Sequence, residues 1–254
     1  MYEIAHTERL QAAIMNIRTE LPAELNGEKK LELLLRLVQF SSPVIIKSGG
    51  RLTRVGEEGI TVIFEKNAEE ALQCAFDIYL RAADALSENE QAGLSMGIHT
   101  GRVWLSAVKC LDYSAPLAIS KEVGTARLLS ETARKYQARI LMTGTSLSGV
   151  RSFENRFSTR KIGRFMFGSG DELIYDVFDS DPTDRKYAKK RSRIAFETGV
   201  ELFMQEKYLQ ARSYFIELLK LDRNDATAKR YVFMCDRALS GAADARELKY
   251  LEIW

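Results

Sequence analysis

At 254 residues, with 46% hydrophobic and 28% charged side chains and a formal charge of +2, the chain is long enough for one sizeable domain and a smaller one, each with its own core. Disorder is excluded as the default, and so small a net charge gives no argument for nucleic acid or a membrane surface as a partner. Cys74, Cys110 and Cys235 have no metal-like spacing and are odd in number, which predicts free thiols in a reducing compartment and no structural disulfide.

With only His6 and His99, and without a nucleophile elbow, a Walker loop or a zinc motif, most hydrolase and metalloenzyme classes have no residues to carry them. No apolar run is long enough to span a bilayer, and residues 1–30 lack the order of a signal peptide, so a cytoplasmic chain is expected.

In chain order, "LQAAIMNIR" reads as a strand, and "EKKLELLLRLVQFSSPVIIKSGG" as a helix stopped by Gly49 and Gly50. "RVGEEGITVIF" is a turn carrying Glu57 and Glu58, followed by a buried strand that ends at Phe64; such a turn suits a hard cation if a second oxygen ligand exists. "AEEALQCAFDIYLRAADALS" places Ala71, Leu72, Ala75, Ile78 and Tyr79 on one helical face. "AGLSMGIHTGRVWLSAV" reads as two extended runs joined at "HTG" by a hairpin or tight connection, with Gly101 supplying backbone freedom. His99 is then a packed hairpin residue to which no carboxylate partner can be assigned.

Next come a helix, "SKEVGTARLLSETARKY", a strand, "ARILMTG", a polar and aromatic segment from Ser152 to Phe167, and a last strand, "ELIYDVFD". This alternation predicts a sheet with helices packed on it, over residues 1–181. The basic stretch 182–195 reads as a linker or a solvated helix start. Residues 196–254 read as helical: Gly199, Tyr208, Ala211, Phe215 and Leu218 are spaced as in one tetratricopeptide repeat, and "NDATAKRYVFMCDRAL" opens another. So short an array cannot bury both faces, so it is expected to dock on its own first domain or on a second subunit. The final "ELKYLEIW", with Leu248, Leu251, Ile253 and Trp254, is expected to dock as well.

Taken with "GIHTG" at Gly97 to Gly101, this order of elements resembles the class III adenylate/guanylate cyclase catalytic domain, over roughly residues 10–180. The resemblance implies an α+β, ferredoxin-like cyclase sandwich followed by a small tetratricopeptide-like segment. It also implies two metal-holding aspartates; "MNIRTEL" puts Asn16 at the first, and Glu58, or Glu57 with a one-residue shift, falls at the second. An uncharged amide is a poor magnesium ligand, so the metal set is degenerate. The asparagine and arginine that such domains carry on one helix map to Gly124 and Leu128, or, shifted by one, leave Arg127 as the arginine. The purine-selecting pair maps near Arg54 and Lys121.

The resemblance therefore implies a catalytically impaired or inactive cyclase homology domain that acts in signal transduction by dimerising, as a homodimer or heterodimer, and by binding a nucleotide or a partner. No cofactor is expected. The alternative is a divergent active adenylate cyclase using magnesium or manganese, or completed by a catalytic partner. A protein partner for the C-terminal helices is compatible with the pattern, nucleic acid is not expected, and a membrane enters only if the chain is part of a longer receptor.

Overall fold

A computed structural model describes residues 3–4, 7–20, 24–110, 113–167 and 170–242. Strand β1 (Glu3–Ile4) precedes a core of β2 (Glu8–Arg18), α1 (Gly27–Lys47), β3 (Arg51–Gly56), β4 (Gly59–Phe64), α2 (Ala68–Ala85), a short α3 (Glu88–Gly93) and β5 (Ser95–Cys110). Its strands pair antiparallel in the order β3-β4-β2-β5, which is the βαββαβ ferredoxin-like arrangement. The sheet continues through β7 (Ile140–Thr143), parallel to β5, then β9 (Gly170–Val177) and β8 (Thr159–Phe167). The remaining elements are β6 (Tyr113–Ile119), α4 (Lys121–Lys135), α5 (Gly144–Ser148), α6 (Phe153–Arg156), α7 (Thr183–Met204), α8 (Tyr208–Leu221) and α9 (Ala226–Leu239).

Because β2 is central, its alternate residues serve two cores. Ala13, Met15 and Ile17 pack under α1 and α2, on the face where Leu37, Ile45, Leu72, Ala75 and Ile78 meet the sheet. Ala12 and Ile14 face the other way, toward Ala126 of α4. Asn16 shares that second face, so the strand aims a polar side chain at α4.

The pentapeptide "GIHTG" is not a hairpin. β5 runs unbroken through it, and its two glycines serve close approach rather than backbone freedom. A Cβ on Gly97 would stand 2.3 Å from the carbonyl oxygen of Ala126, and one on Gly101 would stand 2.4 Å from Cγ of Glu122, both on α4. The segment Ser152–Phe167 contains α6 and the strand β8, whose alternation is interrupted by a register shift between Lys161 and Gly163.

Of the two readings of 182–195, the helix start holds and the linker does not. From Thr183 onward the stretch forms the first half of α7, which runs unbroken to Met204. Helices α7, α8 and α9 pack on the α4 side of β7, β8 and β9, where Phe196, Phe215 and Tyr231 join Leu129, Ile162 and Phe165 in one core. The expected docking of the helices on their own first domain is thus present. The tail residues Leu248, Leu251, Ile253 and Trp254 lie outside the described residues. No helix among the described residues is long and apolar enough to cross a membrane.

Candidate functional site

A cleft of about 340 Å³ opens between the β3–β4 turn and the first half of α4, lined by Asn16, Arg54, Glu58, Thr61, Gly124 and Arg127 among others. Five of these six stand at positions singled out from the sequence; Thr61 is added by the fold. Three other positions lie elsewhere. Glu57 is exposed in the turn and does not line the cleft, Lys121 is exposed at the start of α4, and Leu128 turns toward the core beneath α7–α9. The helix register therefore puts an arginine, Arg127, in the cleft.

Local structure explains the placement. Ser120 caps α4, accepting a hydrogen bond from the Glu122 amide at 3.1 Å, while its hydroxyl donates to the Arg102 carbonyl at 2.6 Å and ties the helix start to β5. The β3–β4 turn closes with Gly59 at φ +98°, where any Cβ would stand 2.2 Å from the Ile17 carbonyl oxygen. Only glycine brings Glu58 so close to β2.

Asn16 is 2% exposed and sits opposite Thr61 across the β2–β4 ladder. Its Nδ2 donates to Thr61 Oγ1 at 3.4 Å, and its Oδ1 accepts from Ser130 Oγ at 2.6 Å. Glu58 accepts from Arg127 and forms a second ion pair with Arg54 Nη2 at 3.1 Å. Beside Gly124 an added Cβ would meet nothing within 4 Å, so an open space lies where the resemblance puts an asparagine.

These residues do not fit a two-magnesium centre. Such a centre needs several anionic oxygens, whereas this cleft offers one carboxylate, already neutralised by two guanidiniums, and an amide oxygen already accepting from a hydroxyl. No group of three or more His, Cys, Asp or Glu side chains stands close enough to hold a metal ion among the described residues.

A second polar cluster lies under the first turn of α4. His99 does have a carboxylate partner: its Nε2 is 3.0 Å from Glu122 Oε2, and its Nδ1 is 3.1 Å from Thr143 Oγ1, which in turn lies 2.9 Å from Ser146 Oγ. All four side chains are buried. Burial holds the imidazole below its ordinary value, although the hydrogen bond and charge of Glu122 pull it upward. No sequence signal pairs His99 with Glu122, since the contact exists only because α4 crosses β5 at Gly101.

No protein-family model matches the chain. Over 216 residues, 81% of the chain, it is 24% identical to the terminal-differentiation specific adenylate cyclase of Dictyostelium discoideum, and it spans 10% of that protein. Among solved structures it is similar to the adenylyl cyclase CyaB of P. aeruginosa, with TM-score 0.54 and 20% identity over 68% of this chain and 96% of that one. It is also similar to the dimeric guanylyl cyclase domain of the RhoGC fusion protein of Blastocladiella emersonii, with TM-score 0.54 and 12% identity over 68% of this chain and 98% of that one. The fold is that of the class III adenylate/guanylate cyclase catalytic domains.

Proposed function

We propose that this chain is a non-catalytic nucleotidyl cyclase homology domain, acting in signal transduction through dimerisation and through binding of a nucleotide or a partner. The observation that carries the reading is the pairing of Glu58 with Arg127 and Arg54 beside the amide of Asn16. Metal binding and transition-state stabilisation are impaired together, and loss of one well-placed stabilising group alone costs roughly 10²- to 10³-fold in rate.

Dimerisation rests on an apolar group beside the cleft. Trp104 and Ile119 are paired across β5 and β6 and are 49% and 61% exposed, Leu117 lies two residues from Ile119 on the same face, and Val55 is exposed on β3. Ile119 also lines the cleft, so a second subunit seated on this face would complete its wall. The helices α7–α9 are read as a tetratricopeptide-like extension, a reading supported by the repeat spacing and by the close packing of Gly199 on Phe215. A divergent active cyclase is the second reading, favoured by the presence of Arg127 and Glu58 in the cleft.

The test is cyclic nucleotide production by the purified chain from ATP and from GTP, with magnesium and with manganese. Background levels throughout are expected. Turnover that disappears in Glu58→Ala would overturn the reading in favour of the second.

A further inference from the structure

A larger cleft, of about 780 Å³, lies at the other end of α4. Arg127 in the first cleft and Arg134 in the second are two helical turns apart, about 10 Å of axial rise. Three guanidiniums line the second cleft, each from a different segment: Arg134 on α4, Arg139 just before β7, and Arg185 in the first turn of α7. Glu20 is the carboxylate in its lining, 2.9 Å from Arg134. Three positive charges against one negative leave the wall cationic.

The arginines are positioned by the fold. Arg139 lies 4.8 Å over the Tyr79 ring and donates to the Ser180 carbonyl, and Arg185 donates to the Gln137 carbonyl at 3.3 Å. Each of those bonds engages one of the five N–H donors of a guanidinium. Gln137 itself follows α4 with φ +50°, a left-handed position that suits glycine, and with Gln91 it lines the same cleft.

We propose that this cleft binds a small molecule carrying two or more phosphate groups, held by Arg134, Arg139 and Arg185 without a metal ion. Planar guanidinium forks match phosphate oxygens bidentately, and the volume is that of an ordinary small-molecule site. Because the walls come from α4, the approach to β7 and the start of α7, the ligand ties the C-terminal helices to the sheet. The site is separate from the cyclase-type cleft.

The experiment is calorimetry on the full chain with inorganic tripolyphosphate, in the presence of a chelator and at fixed ionic strength. One site is expected, bound more weakly by about tenfold or more in Arg139→Gln and in Arg185→Gln, as removal of a charged hydrogen-bond donor implies. Glu20→Gln, which releases Arg134, should tighten it, and Arg127→Gln should leave it unchanged. Absence of binding at millimolar tripolyphosphate, or weakening by Arg127→Gln as large as by Arg185→Gln, overturns the proposal. Should Arg139→Gln fail to fold, the opposite directions expected of Arg185→Gln and Glu20→Gln decide the matter, since a merely structural role predicts no tightening.

Discussion

Replacing Arg160 with methionine tests how the C-terminal helices are joined to the sheet. Arg160 is the largest fully buried side chain of the described residues. Its Nε donates to Asp176 at 3.0 Å, its Nη1 to Asp225 at 2.6 Å and its Nη2 to Thr227 at 3.3 Å, and the guanidinium lies 4.4 Å over the Phe196 ring. Asp176 keeps a second cation in Arg160→Met, because Lys189 Nζ is 2.7 Å from it and 2.6 Å from Asp181. Asp225, with its side chain 8% exposed, loses its buried partner. Breaking a buried pair in this way costs about 3–5 kcal/mol, a large part of the ~5–15 kcal/mol of a typical fold. At about 2–4 °C per kcal/mol for a chain of this size, the melting temperature should fall by roughly 6–20 °C. Urea unfolding followed by circular dichroism measures the loss. Asp225 also caps α9, accepting from the Ala228 amide at 3.0 Å, and asparagine preserves that cap. The double variant Arg160→Met/Asp225→Asn should therefore recover part of the loss. A single-variant loss below about 1 kcal/mol, or a double variant worse than the sum, would refute the account of an uncompensated buried charge.

Acid should loosen the fold in two stages. The folded His99 value lies below the ordinary one, so its contribution is full above about pH 6.5 and is lost as pH falls through the lowered value; His99→Gln should flatten the fall in urea midpoints below about pH 6.5. Asp225 and Asp179, each raised by burial but held lower on balance by Arg160 and by Lys186 with Ser158, lose their contribution further down, below about pH 4. Asp181 works against them, since burial raises its carboxyl and its contribution is lost as pH climbs through the raised value. A wild-type slope unchanged in His99→Gln would show that the imidazole is not the group responsible. Two glycine substitutions should differ in sign. Gly97→Ala drives a methyl into the backbone of α4, 2.5 Å from Ser130 N, and should be destabilising by several kcal/mol, whereas Gly124→Ala meets open space on a helix and should gain about 0.5–1 kcal/mol; equal thermal shifts would contradict the packing described.

The local periods of the sequence carried the elements. The apolar run of β2, the single face of α2 through Ala71, Leu72, Ala75, Ile78 and Tyr79, and the stop of α1 before Gly49, at φ +74°, are all as the residues imply. The positions Asn16, Arg54, Glu58, Gly124 and Arg127 were also legible, through the cyclase resemblance. Period and propensity describe one segment at a time, however, and they cannot say which surfaces will meet. The course of β5 through "HTG" was missed because glycine reads as a turn in isolation, while here it makes room for α4. β8 was missed because it carries Arg160, a charge that is buried only once Asp176 and Asp225 arrive from elsewhere in the chain. The register of α4, with Arg127 on Glu58 and Leu128 in the core, and the pairing of His99 with Glu122 were decided by the crossing of a helix over a strand. Charge complementarity and close packing act between residues far apart in sequence, and only the folded chain brings them into contact.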